Sequence, residues 1–266
     1  IHPHLTATEG FLDRFYDEAR IASRVTHPNV VSTVGIEEAR GRRFLVLELI
    51  HGITLRQLQL HREMSFPESE AARVIADAAR GLHAVHTVAD ETGASLDAIH
   101  RDISPHNLMV DAEGRTILID LGLVKARGQL GHTQTGVLAG KLPYMSPEQS
   151  MLEPLDARSD VFSLGSVLFE LVMGELPFGD DHSPDTLNRL RSCDLAELAT
   201  RLELAGIAPW LSAIILACLH ANPEDRFSSA LALADALEDE LRNHAMNDTE
   251  VRRCLATHSK VVKSQL

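Results

Sequence analysis

The sequence predicts an α+β fold, in which short antiparallel strands and longer helices occupy mostly separate stretches of the chain. Residues 30–50 and 108–119 carry apolar or β-branched runs broken by turn residues, and therefore predict two β-hairpins. Residues 159–173 are apolar almost all round and predict a buried helix, and residues 183–243 predict several more helices. The length of 266 residues fits one large domain or two small lobes.

The composition argues against several classes of protein. A net charge of −13 disfavours binding to nucleic acid or to an anionic membrane surface. No run approaches the roughly 18 apolar residues that span a bilayer, and the first residues lack the apolar core of a signal peptide. Cys193, Cys218 and Cys254 follow no metal-ligand spacing, so we expect reduced thiols and a cytoplasmic location.

The N-terminal part predicts a helix followed by a hairpin. Apolar side chains at helical spacing predict an amphipathic helix over residues 11–25, with Glu18 on it. Residues 30–37 and 43–50 then predict two paired strands. Taken alone, Glu18 is equally well a solvated helix acid.

The next helix is predicted to begin at a capping box. Ser65-Phe66-Pro67-Glu68 fits that motif with an early proline. Apolar residues from Ala71 to Val85 mark one face of the helix behind it. We expect that face to pack on the core.

The most informative stretch is residues 99–122, which hold three polar residues around a hairpin. Asn107 and Asp120 flank the two predicted strands and should meet at one end of the hairpin. Their side-chain oxygens suit a hard cation such as Mg²⁺. Asp102 lies in the loop just before, where it could accept a proton or orient a hydroxyl.

The pattern HRDxxxxN followed by D-x-G resembles the catalytic core of the eukaryotic-type (Hanks-type) Ser/Thr protein kinases, in a form typical of bacteria. The resemblance implies that Asp102 is the catalytic base and that Asn107 and Asp120 are metal ligands. It also implies that Arg101 receives a phosphate from the activation loop. Leu121 replaces the usual phenylalanine, which exchanges one apolar residue for another.

The same resemblance implies a two-lobed protein-kinase-like fold. Residues 1–50 would be a remnant of the β-rich N-terminal lobe, residues 51–243 the mostly helical C-terminal lobe, and residues 244–266 a tail or the start of a linker. Neither a glycine-rich loop nor a VAIK-type lysine precedes Glu18. We therefore expect the N-terminal lobe to be truncated in this chain.

The resemblance also implies binding of ATP and Mg²⁺. Leu47 would be the gatekeeper of the nucleotide cleft, and the backbone of Glu48 and Ile50 would bond the adenine edge. Met109 would contact the nucleotide, and Glu18 would pair with an ATP-contacting lysine. Apolar strands are common, so the strand that holds Leu47 predicts this role only together with the other motifs.

Residues 120–148 resemble the family's activation segment and end in YMSPE. Thr133 and Thr135 lie where the family carries its activating phosphate. A phosphate there could pair with Arg101 and order the loop. The alternative is an unmodified loop that contains two threonines.

Two further matches concern residues with structural roles. In the resembled family, the residue equivalent to Asp160 binds the backbone of the HRD turn; the simpler interpretation is a partner for the helix N-terminus. Arg226, in NPEDR, is implied to pair with Glu148 of the SPE motif. Removal of one partner of such an ion pair lowers the stability strongly only if the pair is buried.

Two departures from the family pattern occur at positions that should be neighbours. Ser104 stands where the Ser/Thr kinases usually have a lysine, and Lys141 where they usually have a threonine. We hypothesise a swap in which Lys141 stabilises phosphate charge while Ser104 bonds the catalytic aspartate. In the alternative, Lys141 points to solvent and recognises acidic protein substrates.

The implied function is transfer of the ATP γ-phosphate to Ser or Thr hydroxyls of protein substrates in signalling, with a dimer as one route to autophosphorylation. A rival interpretation is a pseudokinase that binds partners without catalysis, which Ser104 and the missing nucleotide loop favour. A small-molecule phosphotransferase of related fold would share Asp102, Asn107 and Asp120. It would not be expected to carry the SPE, DVFSLG and PxxR motifs.

Overall fold

The computed structural model describes residues 19, 21–39, 42–62, 65–121, 142–180 and 183–265. Glu18, Thr133, Thr135 and Lys141 lie outside these residues, as does most of the predicted helix 11–25. The strands are β1 (Thr33–Ala39), β2 (Arg42–Leu47), β3 (Gly52–Thr54), β4 (Leu108–Asp111) and β5 (Thr116–Leu118). The helices are α1 (Leu55–Leu60), α2 (Glu68–His86), α3 (Pro147–Ser150), α4 (Ala157–Met173), α5 (Pro184–Ser192), α6 (Leu195–Leu204), α7 (Pro209–Cys218), α8 (Ala230–Asn243) and α9 (Asp248–Lys263).

Both predicted hairpins are confirmed. β1 and β2 pair antiparallel, with Ile36 opposite Leu45, and form the small N-terminal sheet. β3, β4 and β5 form a second antiparallel sheet in that order. The two parts are joined at β5, because the Leu118 carbonyl accepts from Val31 N–H and the Leu118 N–H donates to Asn29, both at 2.9 Å. The two-lobed α+β fold expected from the sequence is therefore present.

Helix α4 is the centre of the helical part. Every residue from Ser159 to Val172 is buried, as the all-round apolar pattern predicts. A Cβ added at Gly165 would lie 2.4 Å from Cβ of Cys218, so glycine is needed for α4 and α7 to approach this closely. Helices α2, α7 and α8 pack around α4 and form the core of the helical part with it.

The predicted capping box before α2 is wrong. Helix α2 begins at Glu68, its N-cap is Pro67, and no side chain among the described residues caps it. The reason is tertiary packing. Phe66 is buried, and its backbone N–H donates to the Leu171 carbonyl of α4 at 2.8 Å, which holds the segment before Pro67 against α4.

The expectation that residues 244–266 are a tail or the start of a linker is also wrong. Residues 248–263 form α9, which packs against α1, α2, β3 and β4. The Ser259 hydroxyl donates to the Val110 carbonyl of β4 at 3.0 Å, and Gly114 lies against the backbone of Arg252. The helix buries a narrow stripe that consists of Val251, Leu255, Ala256, Ser259 and Val262.

An ion-pair network fixes α9 to α2. The Arg252 guanidinium donates to both carboxylate oxygens of Asp77 at 2.8 and 2.9 Å, and Asp77 also accepts from Thr116 N–H at 3.1 Å. Arg73 on α2 pairs with Asp248 at 2.8 Å. Asp77 is buried, and without Arg252 its carboxylate would keep only the longer ion pair with Arg73 at 3.7 Å.

We expect Leu255→Ala to lower the free energy of unfolding by about 2–4 kcal/mol, because this side chain is 0% exposed and its removal leaves a cavity under α9. Urea unfolding of the wild type and the variant measures this difference. Leu204→Ala is the matched control, since Leu204 is 84% exposed and should change stability by less than about 0.5 kcal/mol. An equally small effect of Leu255→Ala would mean that α9 does not pack on the fold.

Two further sequence-based expectations concern membrane-spanning segments and the cysteines. Among the described residues, no helix combines the length and apolar character needed to cross a bilayer. Cys193, Cys218 and Cys254 are free thiols in the structure. Burial raises the pKa of the Cys193 thiol to about 12, so it is protonated near neutral pH.

Candidate active site

The β4–β5 hairpin brings Asn107 and Asp120 to one end, as the sequence predicts. Leu108 pairs with Leu118, and the Ile119 N–H donates to the Asn107 carbonyl at 3.0 Å. The residue next to Asp120 is thereby hydrogen-bonded to Asn107 itself. Asn107 is buried and Asp120 is exposed, so the acid faces the open side of the site.

Asp102 is held beside the same hairpin end by Asn107. The Asn107 Nδ2 donates to the Asp102 carbonyl at 2.8 Å and to the Asp102 Oδ2 at 3.1 Å. Because the side-chain nitrogen is used in this way, Oδ1 is the atom of Asn107 that remains for a cation. Oxygen groups of Asp102, Asn107 and Asp120 therefore lie around one end of the hairpin.

The turn before Asp102 is held by hydrogen bonds to the carboxylate of Asp160, which lies on α4. The Asp160 carboxylate accepts from the N–H of His100 at 2.8 Å, from the N–H of Arg101 at 2.7 Å, and is bonded to His86 Nε2 at 2.7 Å. Burial alone would raise the pKa of Asp160, but these hydrogen bonds outweigh it and hold that pKa below its usual value. Asp160 is fully buried, so it stabilises this turn as a charged acceptor.

His100 completes the turn as a neutral side chain. Burial lowers the pKa of its imidazole, so the ring is uncharged near pH 7. Its Nδ1 accepts from the backbone N–H of Asp102 at 3.3 Å. The residue between them, Arg101, has a φ of +65°, a left-handed conformation that is rare for a residue other than glycine.

The sequence interpretation missed Gln149, which acts on the same turn. Its Nε2 donates to the Arg101 carbonyl at 2.9 Å, and the residue is buried. Asn29 was also missed: its side chain donates to the Thr116 carbonyl at 2.8 Å and ties the N-terminal part to β5. Gln149 directly follows the SPE motif, which was the one available signal for it.

A cleft of about 270 Å³ lies between the N-terminal sheet and the hairpin. Leu47, Asp120 and Leu121 are among the residues that line it. Its other lining residues are Ala22, Val31, Thr33, Leu45 and Ile119.

Three other predicted nucleotide contacts, Glu48, Ile50 and Met109, are not among the residues that line that cleft. Glu48 and Ile50 line a separate cavity of about 390 Å³, and Met109 lies in β4 outside both groups of lining residues. The Glu48 N–H donates to the Ser32 carbonyl at 3.0 Å, which leaves the Glu48 carbonyl as its backbone group for a ligand.

Glu148 and Arg226 form a buried ion pair. The guanidinium donates to both carboxylate oxygens at 2.8 and 2.9 Å, and the Ser159 hydroxyl donates to Glu148 at 2.6 Å. Burial would raise the pKa of Glu148, but the hydrogen bonds from Arg226 and Ser159 hold it below its usual value. Arg226 also lies over the ring of Phe162, 4.9 Å from the centroid.

The hypothesis that Ser104 bonds Asp102 is wrong for this structure. Ser104 is 0% exposed, and among the described residues its Oγ has no hydrogen-bond partner. The hydroxyl is therefore covered rather than directed at the carboxylate. The other half of the swap, Lys141, lies outside the described residues.

Comparison with known proteins gives evidence on the family of this chain that does not depend on the geometry of the site. The family model described as "Protein kinase domain" matches residues 4–240. Tyrosine-protein kinase MasK of Myxococcus xanthus (strain DK1622) is 39% identical over 246 residues, which are 91% of this chain and 38% of that protein. Serine/threonine-protein kinase PknB of Mycobacterium leprae (strain TN) is 34% identical over 257 residues, 94% of this chain and 39% of that protein. The chain thus spans about two fifths of the length of these relatives.

A solved structure has the same fold. The kinase domain of Mycobacterium tuberculosis PknI aligns with a TM-score of 0.62 over 90% of this chain and 82% of that one. The sequence identity is 23%, so this likeness bears on the fold alone.

Proposed function

Because this chain belongs to the protein kinase family, we propose that it transfers the γ-phosphate of ATP to serine and threonine hydroxyls of protein substrates. The observation that carries the proposal is the arrangement of Asp102, Asn107 and Asp120 around one hairpin end. PknB, a relative at 34% identity, is named a serine/threonine-protein kinase, which supports the choice of acceptor.

Each of the three polar residues has a proposed role. Asp102 accepts the proton of the acceptor hydroxyl or orients it for attack. Asn107 Oδ1 and the Asp120 carboxylate are the proposed Mg²⁺ ligands, since these oxygen donors fit a hard cation. When bound, Mg²⁺ would offset negative charge on the phosphates. Arg101 remains the proposed partner of an activation-loop phosphate.

The cleft lined by Leu47 is the proposed site for the adenine ring, because most of its lining residues are apolar. The Glu48 carbonyl and the Ile50 backbone, which line the separate cavity, stay predictions as contacts of the adenine edge. Met109 and Glu18 stay predictions as nucleotide-site residues, and so does Lys141 as a phosphate contact. The proposed lobe bounds are residues 1–50 and 51–243, with α9 packed on the second lobe.

The proposal also covers regulation by phosphorylation and the location of the protein in the cell. Thr133 and Thr135 are the proposed phosphorylation sites, and transfer between the two copies of a dimer is the proposed route of autophosphorylation. The proposed setting is cytoplasmic signalling, which the kinase family and the expectation of reduced thiols support.

A second candidate function is transfer to tyrosine. MasK, at 39% identity, is named a tyrosine-protein kinase. Ser104 is also a small residue at the position where the Ser/Thr kinases usually have lysine. Both features support tyrosine as the acceptor. The reaction would still be transfer of the γ-phosphate to a protein hydroxyl.

We expect the full-length protein, given radiolabelled ATP and Mg²⁺, to label itself or a protein substrate on serine and threonine. Acid hydrolysis followed by separation of the phosphoamino acids measures the acceptor directly. Predominant phosphotyrosine would support the second candidate. Tight nucleotide binding without any transferred label would instead support a binding module.

A further inference from the structure

The left-handed turn at Arg101 is held on both of its peptide groups. The Arg101 N–H is bonded to Asp160 at 2.7 Å, and the Arg101 carbonyl accepts from Gln149 Nε2 at 2.9 Å. The peptide that carries this carbonyl also carries the N–H of Asp102, which donates to His100. Rotation of that one peptide plane would therefore shift the backbone of Asp102.

Gln149 is itself fixed on a short, anchored helix. Its neighbour Glu148 is bound to the buried Arg226, and Ser146 caps the start of α3 by accepting from the Gln149 N–H at 3.3 Å. At the end of α3, Arg191 donates to the Ser150 carbonyl at 3.0 Å. The Gln149 amide thus projects toward Arg101 from a support that does not belong to the HRD turn.

We propose that Gln149 is a positioning residue that acts through the Arg101 carbonyl and sets the orientation of Asp102. A non-glycine residue at positive φ is strained and persists where its surroundings hold it there. Asp160 supplies the anchor on one side of Arg101, and Gln149 supplies the anchor on the other. This inference rests on the proposed function for its catalytic consequence, but its structural part does not.

The consequence for catalysis is a change in turnover without a matching change in nucleotide affinity. Gln149 touches neither the cleft lined by Leu47 nor the Asn107 amide. A base displaced by about 1 Å can slow a reaction by on the order of 10²-fold. Loss of the Gln149 donor should therefore lower kcat and leave KM for ATP nearly constant.

The test compares Gln149→Met with Arg191→Met in the full-length protein. Gln149→Met keeps the side-chain length but removes the donor to Arg101. Arg191→Met removes a contact at the far end of α3, while Ser146 and the Glu148–Arg226 pair still hold the end that carries Gln149. We expect kcat to fall about 10-fold or more in Gln149→Met, with KM for ATP within about two-fold, and to stay within about two-fold in Arg191→Met. Equal losses in both variants, or no loss in Gln149→Met, would overturn the positioning role.

Amide hydrogen exchange gives a readout that does not need activity. In Gln149→Met, but not in Arg191→Met, the amides of residues 100–102 should exchange several-fold faster than in the wild type. An inactive wild-type protein would reject the proposed function, whereas the exchange rates would still decide whether Gln149 holds the turn. Unchanged exchange in Gln149→Met would overturn the inference even if the wild type transfers phosphate.

Discussion

Replacement of Asp102 by asparagine is expected to lower kcat by about 10²-fold or more while the fold and the affinity for ATP stay unchanged. Asparagine has nearly the same shape as aspartate and can still accept from Asn107 Nδ2, so the HRD turn should keep its structure. What the variant loses is the negative charge that, in the proposed mechanism, takes up or orients the proton of the acceptor hydroxyl.

Initial rates of phosphate transfer, together with nucleotide binding by calorimetry, separate these two effects. Asp97→Asn is the matched control, because it makes the same substitution at an exposed carboxylate in the same connecting segment. Its turnover should equal that of the wild type. Normal turnover in Asp102→Asn would contradict the assignment of the base and, with it, the main support for the proposed function.

The largest loss of stability is expected from Arg226→Met, which should lower the free energy of unfolding by about 3–5 kcal/mol. The Arg226 side chain is 0% exposed and binds both oxygens of Glu148, so its removal leaves a buried, unpaired carboxylate. The matched control is Arg242→Met, which breaks an exposed pair with Asp239 and should cost less than about 1 kcal/mol.

A double variant distinguishes the unpaired charge from simple loss of contacts. Glu148→Leu combined with Arg226→Met removes both charges and should recover much of the stability lost in Arg226→Met. Urea unfolding of the four proteins completes the cycle. If the double variant is as unstable as the sum of the single variants, the two residues are not coupled and the pair does not fix α3.

The same pair gives stability a pH dependence. The pKa of Glu148 is lower in the folded protein than its ordinary value of 4.5, so the folded state binds this proton less readily than the unfolded state. The contribution is complete above pH 4.5 and is lost as pH falls through the folded pKa. Arg226→Met should show a weaker loss of stability in this acidic range than the wild type does.

The parts of the fold that the sequence predicts well depend on short-range patterns. The hairpin between Asn107 and Asp120 is one example, since alternation and a turn motif over a few residues are enough to define it. Helix α4 is another, because a run that is apolar all round has to be buried wherever it lies. The polar residues of the candidate site could be found because they flank these predictable elements.

The parts that the sequence does not predict depend on distant contacts. Gln149 meets Arg101 across 48 positions, and nothing local to either residue indicates the other. Helix α9 buries a stripe with few large apolar residues and is secured largely by the Arg252–Asp77 pair, so its pattern resembles that of a polar tail. At Ser65 a local capping motif is present, but the packing of Phe66 on α4 overrides it.

The two hydrogen bonds of Leu118 have a mechanical consequence. They attach the N-terminal sheet to β5 only two residues before Asp120. If the sheet rotates relative to the helices, the rotation axis would pass close to Leu118. Residues far from that axis, such as Ala39 at the end of β1, would then move furthest, whereas the Asp120 backbone would move little. Under the proposed function, such a motion would widen the cleft for nucleotide exchange while the backbone next to Asp120 stays bonded to Asn107.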